Sequence, residues 1–485
     1  MSDSAVYALL SNEREQNPNF QYWLNIIEML GKESPVVIVR NEIGGHCEPL
    51  KNAAQIQERF PNIRSIESVN LQIAATDPRF KTLEQMLKSA AQLLPHVKKE
   101  YPTSFSNVRD KLQQLSENQQ VITFVEFKNL CKAEGIEDGE LMNDYARTFT
   151  ILGIALHFSD DIHLKKQVFL RPKWIIDALF KLLYHDKIEQ QQGVFTEQDA
   201  ANIWQADEYE GLEGDLLRLM QRFELCYKKE GKPEYIVPQR LPERKALFDN
   251  KDATQVQYKY KFMPKGMLTR LTCRLHSRID DGNQVWSDAV QFADKNGAGK
   301  IFVREIYNEH TIEINAFGNG KEALMNTVID TLDDIHDTAQ FANLRVEKLV
   351  PCPCPECARA HTRGQEPYFF KYNFLIKKLT RNGNTKVDCE KSTDEVHISA
   401  ILKQSGVRVF KIEDIKNLIA ADKIEEALNL LRGQFPEENE VVQQMSRLSH
   451  LERDERKGKW ENAEYNREKN KITDGILETL KQLDF

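Results

Sequence analysis

The sequence has no apolar run near the ~20 residues that a membrane-crossing helix needs, and its first residues carry no basic-then-apolar leader pattern. These absences predict a cytoplasmic address and no membrane partner. An excess of positive charge is missing as well: 66 Lys and Arg stand against 74 Asp and Glu, a formal net charge of −8. Broad nucleic-acid contact draws on clustered cations, so this balance argues against a nucleic-acid partner. Cysteine is scarce, with 8 in 485 residues, too few for a disulfide scaffold. Cys47, Cys131, Cys226 and Cys273 stand alone in apolar or mixed surroundings and are expected to be reduced residues in or near a core. No His-Arg-Asp or Asp-Phe-Gly triplet supports a kinase. No Gly-x-x-x-x-Gly-Lys-Ser/Thr supplies a phosphate cradle. Gly299-Lys300 and Gly320-Lys321 lack the earlier glycine and run on into Ile301 and Glu322, so both read as turns, as does Asp294-Lys295-Asn296-Gly297.

What is present describes a globular chain, 41% hydrophobic and 29% charged, long enough for roughly three or more domains with a core each. Residues 5 to 95 alternate apolar strands with amphipathic helices: Val6 to Leu10, a stripe from Phe20 to Leu30, Val36 to Val39, Ile63 to Val69, and a stripe from Phe80 to Leu94. That alternation predicts a parallel sheet with helices on its faces. Residues 149 to 238 change character. Ile151 to Phe158 reads as a strand with its lead-in and Val168 to Leu170 as its return. Pro172 opens a helix with Ile175, Ala178, Leu179 and Leu182 on one face. A helix from Leu216 to Phe223, a strand from Glu224 to Tyr227 and Tyr235 to Pro238 complete what reads as a winged-helix unit, with Trp204 as a core anchor. From Gln255 to Phe317, alternating segments at 256–262, 284–286, 289–292, 301–304 and 311–317 predict an antiparallel sheet. A helix from Glu322 to about Ile335 follows it.

Ile154-Ala155-Leu156-His157-Phe158, Phe169-Leu170-Arg171-Pro172-Lys173-Trp174, Leu219 to Cys226 and Val237-Pro238 occur in the order of the first half of the COR module and resemble it. Phe262 to Leu271 and Trp286 resemble the second half. COR modules belong to the Roco family, in which a Ras-like GTPase domain, Roc, precedes COR. The resemblance implies a homodimer formed through COR. Val36 to Glu42 resembles the strand and guanine-reading loop of such a GTPase, with Asn41 at the nucleotide-binding Asn. Glu42 stands where that loop has Lys and Gly44 where it has Asp, so the carboxylate that pairs with guanine is missing. The chain is read as starting at the fourth Roc strand, leaving no room for the phosphate loop, the switches or the Mg²⁺ ligands, so GTP or GDP is expected only if the rest of Roc is supplied.

Pro351-Cys352-Pro353-Cys354-Pro355-Glu356-Cys357 and the later Cys389 carry the sharpest local chemistry. Cys354-x-x-Cys357 has knuckle spacing, and four thiolates suit a tetrahedral, structural Zn²⁺, with His361 as a spare ligand. The alternative is four reduced surface cysteines; nucleophilic use of one finds no histidine arrangement to support it. Beyond Phe410 the pattern is helical, with apolar stripes led by Ile415, Ile424, Val442 and Ile472, and with Gly433 expected at a helix end. Ile419-Ala420 to Ala427-Leu428, Arg447-Leu448, Leu451 to Arg456 and Asn466-Arg467 to Ile472 resemble the effector-associated domains of bacterial signalling proteins, which implies an effector partner.

The expected architecture is α/β and α+β multidomain. It comprises a partial Ras-like sheet (1–98), a winged-helix COR-A (99–245), an antiparallel COR-B (246–345), a Cys-rich extension with a zinc knuckle (346–408) and a helical bundle (409–485). The function expected is an adaptor that relays a GTPase state to an effector. The alternatives are part of an active GTPase completed upstream or by another chain, and a winged-helix DNA binder, which the acidic balance disfavours.

Overall fold

Val36 to Val39 are buried on both sides, as an unbroken apolar run in a central parallel strand should be. That strand, β2 (Val36–Asn41), lies between β1 (Tyr7–Asn12) and β3 (Ile63–Val69), and both pairings are parallel. Alternate residues point to opposite faces. Val36 and Ile38 meet Leu24 and Ile27 of α1 (Phe20–Gly31), whereas Val37 and Val39 meet Leu83 and Ala90 of α3 (Pro78–Ala91). The short α2 (Ala53–Arg59) leads into β3. The structure is a computed structural model that describes residues 5–12, 20–31, 34–42, 53–74, 76–94, 97, 100–244, 253–338, 341, 344–381, 385–405, 412–434, 439–455 and 462–483. Gly44 and Cys47 lie outside these residues. Two compact units divide the chain: Met1–Pro242 with Pro264–Cys273 and Ile335–Leu344, and Glu243–Met263 with Arg274–Asp334 and Arg345–Phe485.

Within the first unit, residues 103 to 236 form helices around two small antiparallel sheets. The first contains β4 (Val121–Thr123), β6 (Gln167–Phe169) and β5 (Leu156–His157), in that order. Around it pack α4 (Thr103–Ser116), α5 (Phe124–Ala133) and α6 (Gly139–Ile151). Thr123 and Glu126 start α5 with a reciprocal capping box, and Asp138 caps α6. Of the run Ile151 to Phe158, read as a strand with its lead-in, Leu156–His157 forms the strand and Ile151 ends α6, because Met142, Tyr145, Ala146 and Phe149 give the preceding segment a buried helical face. Gly153, at φ 67°, turns the chain into the two-residue β5.

The second sheet has the order β7 (Val194–Thr196), β9 (Glu234–Ile236), β8 (Tyr227–Lys228). It closes on α7 (Pro172–Leu183), α8 (Asp186–Gln190), α9 (Glu197–Ile203) and α10 (Glu213–Arg222). Trp204 is fully buried there and its indole N–H donates to the Ala178 carbonyl at 2.9 Å, the anchoring role expected of it. Glu224 is not in a strand. It takes a left-handed φ of 57° after α10, its carboxylate pairs with Arg270 at 3.0 Å, and its carbonyl accepts from the Cys273 thiol at 3.3 Å. Arg270 and Cys273 belong to α11 (Met267–Arg274).

The second unit is built on a six-stranded antiparallel sheet of order β11-β12-β13-β10-β14-β15. Its strands are β10 (Thr254–Tyr260), β11 (Ala289–Ala293), β12 (Gly299–Ile306), β13 (Thr311–Gly318), β14 (Val346–Pro351) and β15 (Phe369–Lys371). Residues 284–286 make only an isolated bridge, Val285 to Val290. Gly299 opens β12 and Gly320 turns at φ 77° into α12 (Lys321–His336), so neither Gly-Lys pair belongs to a phosphate loop. Asp333 of α12 accepts from the Tyr258 hydroxyl at 2.8 Å and from Lys348 at 2.6 Å, tying the helix to β10 and β14. Beyond the sheet lie α13 (Pro355–Thr362), α14 (Tyr372–Arg381), the hairpin β16 (Lys386–Asp388) and β17 (Glu395–His397), and α15 (Ile398–Ser405). Four further helices follow, α16 (Ile412–Ala420), α17 (Ile424–Gln434), α18 (Asn439–Glu455) and α19 (Asn462–Leu483). Gly433 is the penultimate residue of α17, at the helix end expected for it.

Candidate metal centre

Three structural features bring four cysteines together. Cys352 follows the end of β14, where its N–H still donates to the Tyr368 carbonyl at 2.8 Å and so continues the ladder toward β15. Cys354 is the N-cap of α13, and Cys357 sits one turn along, so the C-x-x-C spacing points both sulfurs to one side of the helix start. Pro355 at the first helical position, with φ already suited to the helix, fixes that start. Cys389 comes from the far side, at the turn between β16 and β17. The hairpin is closed there by Cys389 N–H to Asp394 carbonyl at 2.9 Å and Thr393 N–H to Cys389 carbonyl at 2.7 Å. Thr393 takes the left-handed conformation, φ 60°, that makes this turn tight.

The four sulfurs lie within 4.8 Å of one another, close enough to hold a metal ion. Cys389 Sγ is 3.7 Å from both Cys354 Sγ and Cys357 Sγ. Metal–sulfur bonds of about 2.3 Å in a tetrahedron require sulfurs about 3.8 Å apart, whereas a disulfide requires about 2.05 Å. The spacing therefore matches a four-sulfur cage around one ion. All four residues are buried. Surface cysteines, the alternative open from the sequence, are excluded by that burial.

Hydrogen-bond donors surround the sulfurs as a thiolate cluster requires. Cys357 N–H donates to Cys354 Sγ at 3.4 Å, Cys354 N–H to Cys352 Sγ at 3.5 Å, Tyr368 N–H to Cys357 Sγ at 3.3 Å and the Ser392 hydroxyl to Cys354 Sγ at 3.4 Å. Burial pushes the Cys354 thiol up, but the donations from Ser392 and from the Cys357 N–H outweigh it and bring the group down to about 7. Burial dominates at Cys357, held up at about 11, and raises the Cys352 thiol as well. Ser392 and Tyr368 had no signal in the sequence; their contribution arises only when the hairpin and β15 fold against α13. His361 stays out of the group, with its Nε2 at 3.1 Å from the Ala253 carbonyl.

Asn41, the expected nucleotide contact, is at the end of β2 and half buried, and its side-chain oxygen accepts from the Leu71 N–H at 3.0 Å. The neighbouring Glu42 is buried and pairs with Arg79 at 2.8 Å, while Arg79 also forks onto Asp77 at 3.1 and 2.8 Å. Hydrogen bonds from the Arg79 side chain and N–H hold the Asp77 carboxyl down at about 2. Among the described residues, this end of the sheet carries an internal ionic knot around the position read as the guanine loop.

Comparison with known families finds three successive matches: the C-terminal of Roc, COR-A domain over residues 102–241, the C-terminal of Roc, COR-B domain over 251–404, and effector-associated domain 11 over 411–484. A Roc-COR-CHAT protease from an unknown prokaryotic organism is 25% identical over 498 residues, covering 96% of this chain and 43% of the relative. A Roc-COR-CHAT protease of Runella zeae is 25% identical over 348 residues, 67% of this chain and 35% of the relative. A probable serine/threonine-protein kinase of Dictyostelium discoideum, qkgA, is 26% identical over 218 residues, 41% of this chain and 14% of the relative. The chain thus spans less than half the length of these relatives. A solved structure of Methanosarcina barkeri Roco2 RocCORdC bound to GDP is 26% identical, covering 50% of this chain and 73% of that one, with a TM-score of 0.41.

Proposed function

This chain belongs to the Roco family, and from that premise we propose that it acts as a signalling adaptor: COR-mediated dimerisation relays a GTPase state to an effector recruited by the C-terminal helices. The observation that carries this reading is the uninterrupted order of COR-A, COR-B and effector-associated domain over residues 102–484. Each module supplies one part. The parallel sheet of residues 7–69 is read as part of Roc, the helices and small sheets of 99–245 as a winged-helix COR-A, the antiparallel sheet as the dimerising COR-B, and residues 409–485 as the adaptor. The two relatives named as proteases suggest proteolysis as the chemistry of the effector, carried out by a domain other than these.

The cysteine cluster is read as a structural Zn²⁺ site of COR-B. With Cys352, Cys354, Cys357 and Cys389 all engaged, no coordination position is left for substrate or water, so the ion would staple the β16–β17 hairpin to α13 and the end of β14. Bound Zn²⁺ supplies cross-linking in place of a larger apolar core.

A second reading keeps GTP hydrolysis, favoured by the parallel sheet and its two-faced helical cover: the phosphate-binding half of Roc would come from upstream sequence or another chain. One pair of measurements separates the two. Light scattering gives the mass of the chain in solution, and isothermal titration reports GTP and GDP binding. The adaptor reading expects a dimer that takes up neither nucleotide, and a monomer that binds one tightly would overturn it.

A further inference from the structure

An outward groove in the first unit has the chemistry of a docking site. Its cavity of about 860 Å³ lies between the start of α5, the outer face of α6 and the segment joining β5 to β6. Asn143, Arg147, Thr150 and Ile151 fall at helical spacing on the side of α6 opposite its buried Met142, Tyr145 and Phe149, so they form one wall. Val125, in the first turn of α5, and Lys165 and Lys166 form the rest of the rim.

Two observations say what this groove takes. The first is charge. Arg147, Lys165 and Lys166 line it and no Asp or Glu does. Arg147 pairs with Asp144 at 3.0 Å on the exposed surface, while Lys165 and Lys166 make no ion pair among the described residues. Lys128 adds a fourth cation, its ammonium 4.9 Å from the Phe124 ring. The flanking acids are engaged elsewhere, Glu126 in the Thr123 cap and Asp160 with Arg222. The second is apolar surface. Val125 is 67% exposed and Ile151 55%, and Phe124 stacks on His157 at 4.2 Å to form an aromatic floor. A small anion would leave both rim residues wet, whereas a chain laid along the groove would cover them.

We propose that this face of the COR-A region docks an acidic peptide segment of a partner protein, with carboxylates over Lys165, Lys166 and Arg147 and an apolar side chain between Val125 and Ile151. From Asn143 to Ile151 the α6 wall is about 12 Å long, enough for three or four extended residues. The cations set orientation and encounter rate, and the apolar contact sets dwell time.

The test is fluorescence anisotropy of the full chain with a short labelled peptide of alternating Glu and Leu, beside a Lys/Leu peptide, a polyglutamate peptide and single-stranded oligothymidylate. The proposal expects salt-sensitive binding of the Glu/Leu peptide above all three comparators. It also expects binding weakened on the order of ten-fold in Lys165→Glu/Lys166→Glu, two reversed surface charges, and weakened again in Val125→Asp. These positions are exposed, so unchanged thermal melts keep a loss of binding from being confused with unfolding. No binding, equal binding by the variants, or tighter binding of oligothymidylate or the Lys/Leu peptide would overturn it.

Discussion

Each sulfur of the cysteine cluster is held by a different backbone device, a strand end, a helix cap, a first helical turn and a hairpin turn, so no single loop supplies all four. Cys389→Ser is therefore expected to reduce bound zinc to well below one equivalent by mass spectrometry of metal content, and a chelator should lower the melting temperature of wild type but not of the variant. His361→Ala should keep its full metal, because that imidazole is engaged with the Ala253 carbonyl; loss of zinc there would mean a ligand set different from the four thiolates. Asp77 gives a pH signature. Its folded pKa of about 2 lies below the unfolded value of about 3.9, so ionisation favours the native state and the contribution is whole above about pH 4. It fades as the pH falls from about 4 toward 2. The urea midpoints of wild type and Asp77→Asn should differ by a constant amount at neutral pH and converge below about pH 4, and a gap that stays level throughout would remove Asp77 as its source.

At the scale of the element, legibility followed the length of the repeat. α1, α3, α7, α10 and α12 were readable because apolar residues recur over about two turns or more, and β2 because a run of four apolar residues leaves little choice. Two- and three-residue strands such as β4, β5 and β8 hold too few positions to show a period, so the run Ile151 to Phe158 showed that a strand was present but not that only Leu156–His157 pairs and that its lead-in is the end of α6. Gly433 was legible as a helix end: it is the penultimate residue of α17, just beyond the buried face of Ile424, Ala427, Leu428 and Leu431. Of the cysteine site, Cys354 and Cys357 were legible as a pair from spacing, while the approach of Cys389 depends on where a hairpin lands. Turn geometry provides a test within the central sheet. Gly318 ends β13 at φ 81°, and a Cβ there would overlap the Ala298 carbonyl oxygen. Gly318→Ala should cost more than about 1 kcal/mol in urea unfolding, whereas Gly297→Ala, at φ 71° with open space around it, should cost less.

For the whole molecule, the order of modules sets apart two stretches of different build. Six antiparallel strands and the clustered cysteines belong to one stretch, residues 254–397, and the four terminal helices to another, 412–483. Each of those helices buries its own stripe, with Ile415, Leu428, Leu448 and Ile476 among the buried residues, so the terminal helices share an apolar interior of the kind a helical bundle needs. If the sheet-bearing stretch dimerises and the helices recruit, the two activities come apart on truncation. A chain ending at residue 408 should scatter light as a dimer of the shortened mass, keep its zinc, and fail to capture an effector that the full chain retains. The reciprocal piece, residues 409–485, should capture the effector as a monomer. A truncated chain that falls to a monomer would place the dimer contact in the terminal helices and reverse the assignment of the two tasks.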